Sequence, residues 1–141
     1  MKQIALVLAV IGLSGCVTES VSTGEAKIVP TERVLVKGNG DAELIVTRDK
    51  GWLVGGGCFT TLTLDGKHIA RIGTGETLSY KVKPGRHILG IADDPEGGGL
   101  CGMGSGKPYK ETSTVISNNE IQKYRIAGDT NSGLDIRPTS N

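Results

Sequence analysis

Leu62-Thr63-Leu64-Asp65-Gly66-Lys67-His68-Ile69-Ala70 reads as a strand, a two-residue turn and a returning strand. Asp-Gly between such runs is a hairpin signal, because both central positions of a type I′ turn need positive φ. Upstream, Cys58, Thr60, Leu62 and Leu64 fall on one face, which turns Cys58 inward. Downstream, the return strand runs to Ile72 and Gly73-Thr74-Gly75-Glu76 turns the chain again. Thr77 to Val82 then alternates, with Leu78, Tyr80 and Val82 inward and Ser79 and Lys81 outward. Pro84-Gly85 suits a type II turn before a strand from His87 to Ala92. On the N-terminal side, Glu43 to Arg48 has the same period of two, with Leu44 and Val46 on one face. Asp93 to Lys110 is a long glycine-rich loop, followed by strands at Glu111 to Ser117, Ile121 to Ala127 and Leu134 to Ile136. Short strands with turn residues between them and no helical period predict an all-β domain. The expected architecture is a small antiparallel β-sandwich or partly closed barrel of about seven strands.

Composition narrows the partners. Lysine and arginine number 16 against 15 acidic residues, spread along the chain, so no basic stripe points to nucleic acid. Aromatic residues are confined to Trp52, Phe59, Tyr80, Tyr109 and Tyr124, which leaves the core to Val, Ile and Leu. The first residues carry a different message. Met1-Lys2-Gln3 is a short basic start, Ile4 to Leu13 is apolar or small, and Leu13-Ser14-Gly15-Cys16 closes the run. The run falls short of the roughly 20 apolar residues that a membrane span needs. The pattern resembles a bacterial lipoprotein signal, with a positive n-region, an apolar h-region and small residues directly before a cysteine. The resemblance implies that residues 1–15 are removed and that Cys16 becomes the first residue. It would carry diacylglycerol on its sulfur and an acyl chain on its amine. Several buried acyl chains, at about 0.8 kcal/mol per CH2, hold a protein on a membrane where one does not. In the Gram-negative sorting rule that goes with the resemblance, an aspartate after the cysteine favours the inner membrane. Val17 stands there, which implies the periplasmic face of the outer membrane.

With Cys16 given to lipid, Cys58 and Cys101 remain as an even pair in an oxidising compartment. A disulfide between them would close a long loop, for which the chain-entropy account gives roughly 4 kcal/mol. It would also pin the glycine-rich loop near its middle. A metal site with His68 or His87, or two free thiols, are the alternatives; the spacing is not that of a zinc site. Residues 16–40 read as a lipidated N-terminus and flexible tether, since Val17 to Glu25 is small and polar without a sustained period. Val34-Leu35-Val36 fits either a short strand or a helical turn. The β-domain would occupy residues 41–141.

The stretch from Leu62 to Ala70, with Val82-Lys83-Pro84-Gly85-Arg86-His87-Ile88-Leu89, resembles a PEGA-type β-module. There a strand ends in Asp-Gly and a Pro-Gly turn leads into a strand beginning with His. Thr47-Arg48-Asp49, Gly55-Gly56-Gly57-Cys58, Gly97-Gly98-Gly99-Leu100-Cys101-Gly102 and the ending Gly133-Leu134-Asp135-Ile136-Arg137-Pro138-Thr139 extend the likeness to a group of short Gram-negative lipoproteins of uncharacterised function. That group brings no catalytic residues to carry over.

Chemistry is sparse. The two Gly-Gly-Gly runs lack the helix and Lys-Ser/Thr of a phosphate cradle, and close backbone approach beside a disulfide explains them better. Asp93, Asp94 and Glu96 do not match a calcium loop and read as a solvated acidic turn. His68 and His87 fall on neighbouring expected strands, and one of them with Ser79 and Asp65 could imitate a hydrolase triad. No nucleophile motif surrounds any serine. The expected protein is therefore non-catalytic, without metal or cofactor: a structural, accessory or interaction module anchored by lipid, with an envelope protein as partner. The alternative is an inhibitor or exclusion factor that blocks a periplasmic enzyme or phage component. In both cases the glycine-rich loop, through Leu100, Met103 and Tyr109, is the candidate binding surface. Protrusion of those side chains favours the inhibitor, and a loop folded flat favours the accessory role. The outward face bearing Lys81, Lys123 and Arg125 is the second candidate surface.

Overall fold

The computed structural model describes residues 16–51 and 57–141. Its strands are β1 (Lys27–Ile28), β2 (Ala42–Arg48), β3 (Thr60–Leu64), β4 (Lys67–Ile72), β5 (Glu76–Val82), β6 (Gly85–Ala92), β7 (Pro108–Ile116), β8 (Ile121–Asp129) and β9 (Gly133–Pro138). They form a five-stranded sheet in the order β1-β5-β2-β8-β9 and a four-stranded sheet in the order β4-β3-β6-β7. One apolar cluster joins the two sheets, so the sandwich is the observed solution, without a closed barrel. Leu44 and Val46 are fully buried, and Leu78, Tyr80 and Val82 are buried while Ser79 and Lys81 are exposed, as the alternation requires.

The β3–β4 hairpin turns at Asp65 (φ 51°) and Gly66 (φ 81°), the left-handed pair expected there. The next two connections change sheets. β4 lies in the smaller sheet, β5 in the larger and β6 in the smaller again. A second difference follows from such a crossing. β2 and β8 run parallel, from Glu43 opposite Ile121 to Arg48 opposite Ile126. β7 delivers the chain to the end where β2 begins, and a short turn at residues 117–120 sends β8 back from there. β8 must then travel in the same direction as β2.

These registers collect eight strand termini at one end of the sandwich. β2 finishes there at Arg48, β8 at Asp129, β4 at Ile72 and β6 at Ala92; β3, β5, β7 and β9 start there. Cys16 is at this end too. Its carbonyl accepts a hydrogen bond from the Thr130 amide at 3.0 Å, in the β8–β9 turn.

The segment expected as a tether is instead part of the domain. Val17 bridges Asp129 and Glu19 bridges Lys50, β1 pairs with β5, and Val21 and Val29 are buried. A 3-10 turn at Thr31–Arg33 follows, and Val34 then bridges Ala70 while the Leu35 and Val36 amides donate to the Ile69 carbonyl. Residues 34–36 thereby cover the outer edge of β4. Arg33 holds Glu76 through two hydrogen bonds of 2.7 and 2.5 Å, and its guanidinium lies 4.3 Å from the Phe59 ring centre. Pairing through isolated bridges leaves no period in the sequence, which is why composition alone suggested a tether.

Candidate functional site

The glycine-rich loop is fastened at three points. Cys58 and Cys101 are joined, with Cα atoms 5.4 Å apart and a sequence separation of 43. Asp94 accepts two bonds of 2.7 Å from Arg71 on β4. The His68 ring nitrogen Nε2 bonds the Gly106 carbonyl at 2.6 Å. The last two contacts draw the loop across the outer face of the smaller sheet. Thr61 and Thr63 of β3 are therefore buried as well as Leu62, although only one face of that strand was expected to be covered. Asp94 is only 2 % exposed, so the acidic turn is not wholly solvated; one of its carboxylates is a buried partner for Arg71. Cys58 lies just ahead of β3 and is half-buried, not enclosed within the strand.

Glycine is needed here for space. A Cβ on Gly102 would stand 2.3 Å from the Gly97 carbonyl oxygen, and one on Gly97 would stand 2.7 Å from the Cys101 Cβ. Two backbone strands pass this closely only without side chains. Gly55 and Gly56 lie outside the described residues; Gly57 has φ 69°.

The candidate binding residues separate into two kinds. Leu100 is 86 % exposed and Met103 77 %, while Tyr109 is exposed to a smaller degree, at 45 %. All three line a cleft of about 360 Å³ with Cys58, Phe59 and Leu134, where the two sheets open. Burial, and then the nearby Asp93 carboxylate, push the Tyr109 phenol above its ordinary value; the Arg48 cation opposes them.

Arg48 is the polar residue that sequence reading passed over. It shares a face with Leu44 and Val46 and is 1 % exposed. Its Nη1 donates to the Cys58 and Ile72 carbonyls, both at 2.9 Å, and so ties the base of the disulfide to β4. Its Nη2 is buried and has no partner among the described residues. Burial pushes its pKa down to about 10, against the influence of Tyr109 and Glu76. The signal was present, since a period of two that places Leu44 and Val46 inward also places Arg48 inward.

Two of the three cations on the alternative surface are already engaged. Arg125 donates to Asp49 at 2.7 and 2.5 Å, and Asp49 is 1 % exposed; Lys81 lies 3.1 Å from Glu43. The histidines do not meet. β3 lies between the strands carrying His68 and His87, so those strands are not neighbours. His87 Nδ1 bonds Asp65 at 2.7 Å, half of the imagined triad, but Nε2 bonds the Lys83 carbonyl at 2.6 Å. A carbonyl occupies the position a nucleophile would take, and Ser79 on the other sheet bonds Glu43 instead. Both imidazole nitrogens thus face acceptors, an arrangement that suits the protonated ring. Burial opposes that charge at His87, but the Asp65 and Lys83 bonds outweigh it and raise the pKa. Both cysteines other than Cys16 are in the disulfide, which leaves no thiolate pair for a metal. Cys16 itself is exposed.

No family model matches the chain, and neither a curated protein nor a solved structure matches it.

Proposed function

We propose that this chain is a lipid-anchored, non-catalytic accessory module of a Gram-negative envelope, held at the outer membrane through Cys16, whose activity is to bind another envelope component. The observation that carries this reading is the pairing of two features. Cys16, which closes a lipoprotein-like signal, is exposed at the edge of the domain. Leu100 and Met103 stand in solvent on a loop fixed by a disulfide and an ion pair. A loop held rigid at its base presents side chains without a large ordering cost on binding. Three aspartates elsewhere are committed to basic partners: Asp65 to His87, Asp49 to Arg125 and Asp94 to Arg71.

The exposure of Leu100 and Met103 favours the second reading, an inhibitor or exclusion factor that inserts this loop into an incoming protein, whereas the fastening of the loop across the smaller sheet through Asp94 and Gly106 favours the accessory role. Crosslinking in cells, followed by capture from membranes, separates the two readings by the identity of the component held.

The anchor has its own test. C16S should abolish acylation and leave either a soluble periplasmic domain or an uncleaved precursor. Unchanged membrane fractionation, together with an unacylated wild-type N-terminus, would remove the anchor from the proposal.

A further inference from the structure

Anchor and loop share one end of the sandwich. Cys16 is tied to the β8–β9 turn by the Thr130 amide, and two residues on the Thr18 amide donates to the Gly128 carbonyl at 2.9 Å. The first link of the chain therefore has no slack. The loop leaves from Ala92 and re-enters at Pro108, which the strand registers place at the same end. Five large apolar side chains among the described residues are more than two-thirds exposed: Leu100, Ile28, Met103, Val17 and Val115. All but Val115 belong to this end. Ile28 is there through its register with Thr77, and Val17 through its bridge to Asp129. Exposed Lys27 and Lys50 stand there beside exposed Glu19, Asp93 and Glu96, so charge selects no particular lipid headgroup.

We infer that this end of the sandwich docks on the bilayer that holds the Cys16 acyl chains, with Leu100 and Met103 seated at the boundary between headgroups and acyl chains. The inference rests on the proposed lipidation and names the component the loop meets: a lipid surface. Interfacial segments bury apolar side chains roughly 5–10 Å into that boundary. A domain anchored at Cys16 without slack brings its own end within reach of it. The acyl chains supply retention, and the loop residues fix how the domain stands.

The test uses full-length protein, acylated in its cells and reconstituted into vesicles of phosphatidylethanolamine and phosphatidylglycerol with brominated acyl chains. Trp52 is the sole tryptophan, so W52F/L100W and W52F/V115W each report one position. L100W emission should shift to the blue and be quenched several-fold more than V115W. Equal quenching of the two, with both proteins acylated and floating with the vesicles, overturns the inference and returns the loop to a protein partner. Absence of an acyl mass and of flotation overturns the anchor and the docking together. A second readout avoids the tryptophan exchange. In V115M on vesicles, water-soluble peroxide should oxidise Met103 several-fold more slowly than the introduced methionine. Equal rates would again overturn the inference.

Discussion

Asp49 shows how one carboxylate can hold distant parts of a chain. It accepts both Arg125 bonds from β8 and a 2.8 Å bond from Thr18 Oγ1, while Thr18 Oγ1 accepts the Gly128 amide at 3.0 Å. D49N keeps the shape but removes the charge. Arg125 is one-quarter exposed and can recover some water, so the loss should be about 1.5–3 kcal/mol, the range for hydrogen bonds to charged groups. An unfolding free energy lower by that amount, extrapolated to water from urea titrations, checks it. His87 adds a pH dependence. Its folded pKa is raised above the ordinary 6.5, so its contribution is complete below that value and is lost as pH rises through the folded value. Comparing H87Q with wild type by urea unfolding should show the larger stability gap at the lower pH. A gap that widens on raising the pH would contradict the His87–Asp65 pairing. The partner Asp65 has a lowered pKa, so its own share fades only on acidification through that value.

The glycine-rich loop and the hairpin differ in how much of them could be read in advance. Asp65-Gly66 specifies a turn by local φ alone, and the structure has it. The loop is set by contacts between residues far apart, and only Cys58 and Cys101 announced theirs. Thr61 and Thr63 alternate like outward residues, yet Pro95 and Gly106 come to lie near His68 and close that face. The parallel β2–β8 pair was equally invisible, because direction depends on which sheet each connection enters, and turn chemistry does not encode that. Leu100 and Met103 were legible as candidates because nothing around them in sequence offered a core. Tyr109 was not separable from them, because its lower exposure depends on the fold around the cleft it lines, which local sequence does not encode. G102A tests the loop as a unit. Its Cβ would strike a backbone oxygen that cannot swing aside, so the loop must open. The native disulfide should then be reduced by dithiothreitol several-fold faster than in wild type, at a stability cost of about 1–3 kcal/mol.

The disulfide does for the molecule what a thin aromatic core cannot. It closes a span of 43 residues that contains β3, β4, β5 and β6, and so joins segments of both sheets. The constraint acts mainly on the unfolded chain, for about 4 kcal/mol. C58A/C101A should therefore lower Tm by roughly 10–20 °C. A fall of only a degree or two in a calorimetric scan would mean that Arg71–Asp94 and His68–Gly106 hold the loop unaided. Arg48 raises the expected cost, because removing Cys58 disturbs the carbonyl that satisfies part of a buried cation.

The pairing of the first residues with the sheet also sets a reach. While Val17 stays on Asp129 and Glu19 on Lys50, the body of the protein moves as one with Cys16, the proposed point of lipid attachment. If those bridges and β1 peel away as far as Val29, the same residues become a leash of roughly 40 Å at about 3.3 Å each. With Cys16 acylated as proposed, this pairing would act as a latch: closed, it would confine the domain to a layer one molecule thick; open, it would let the domain search a volume.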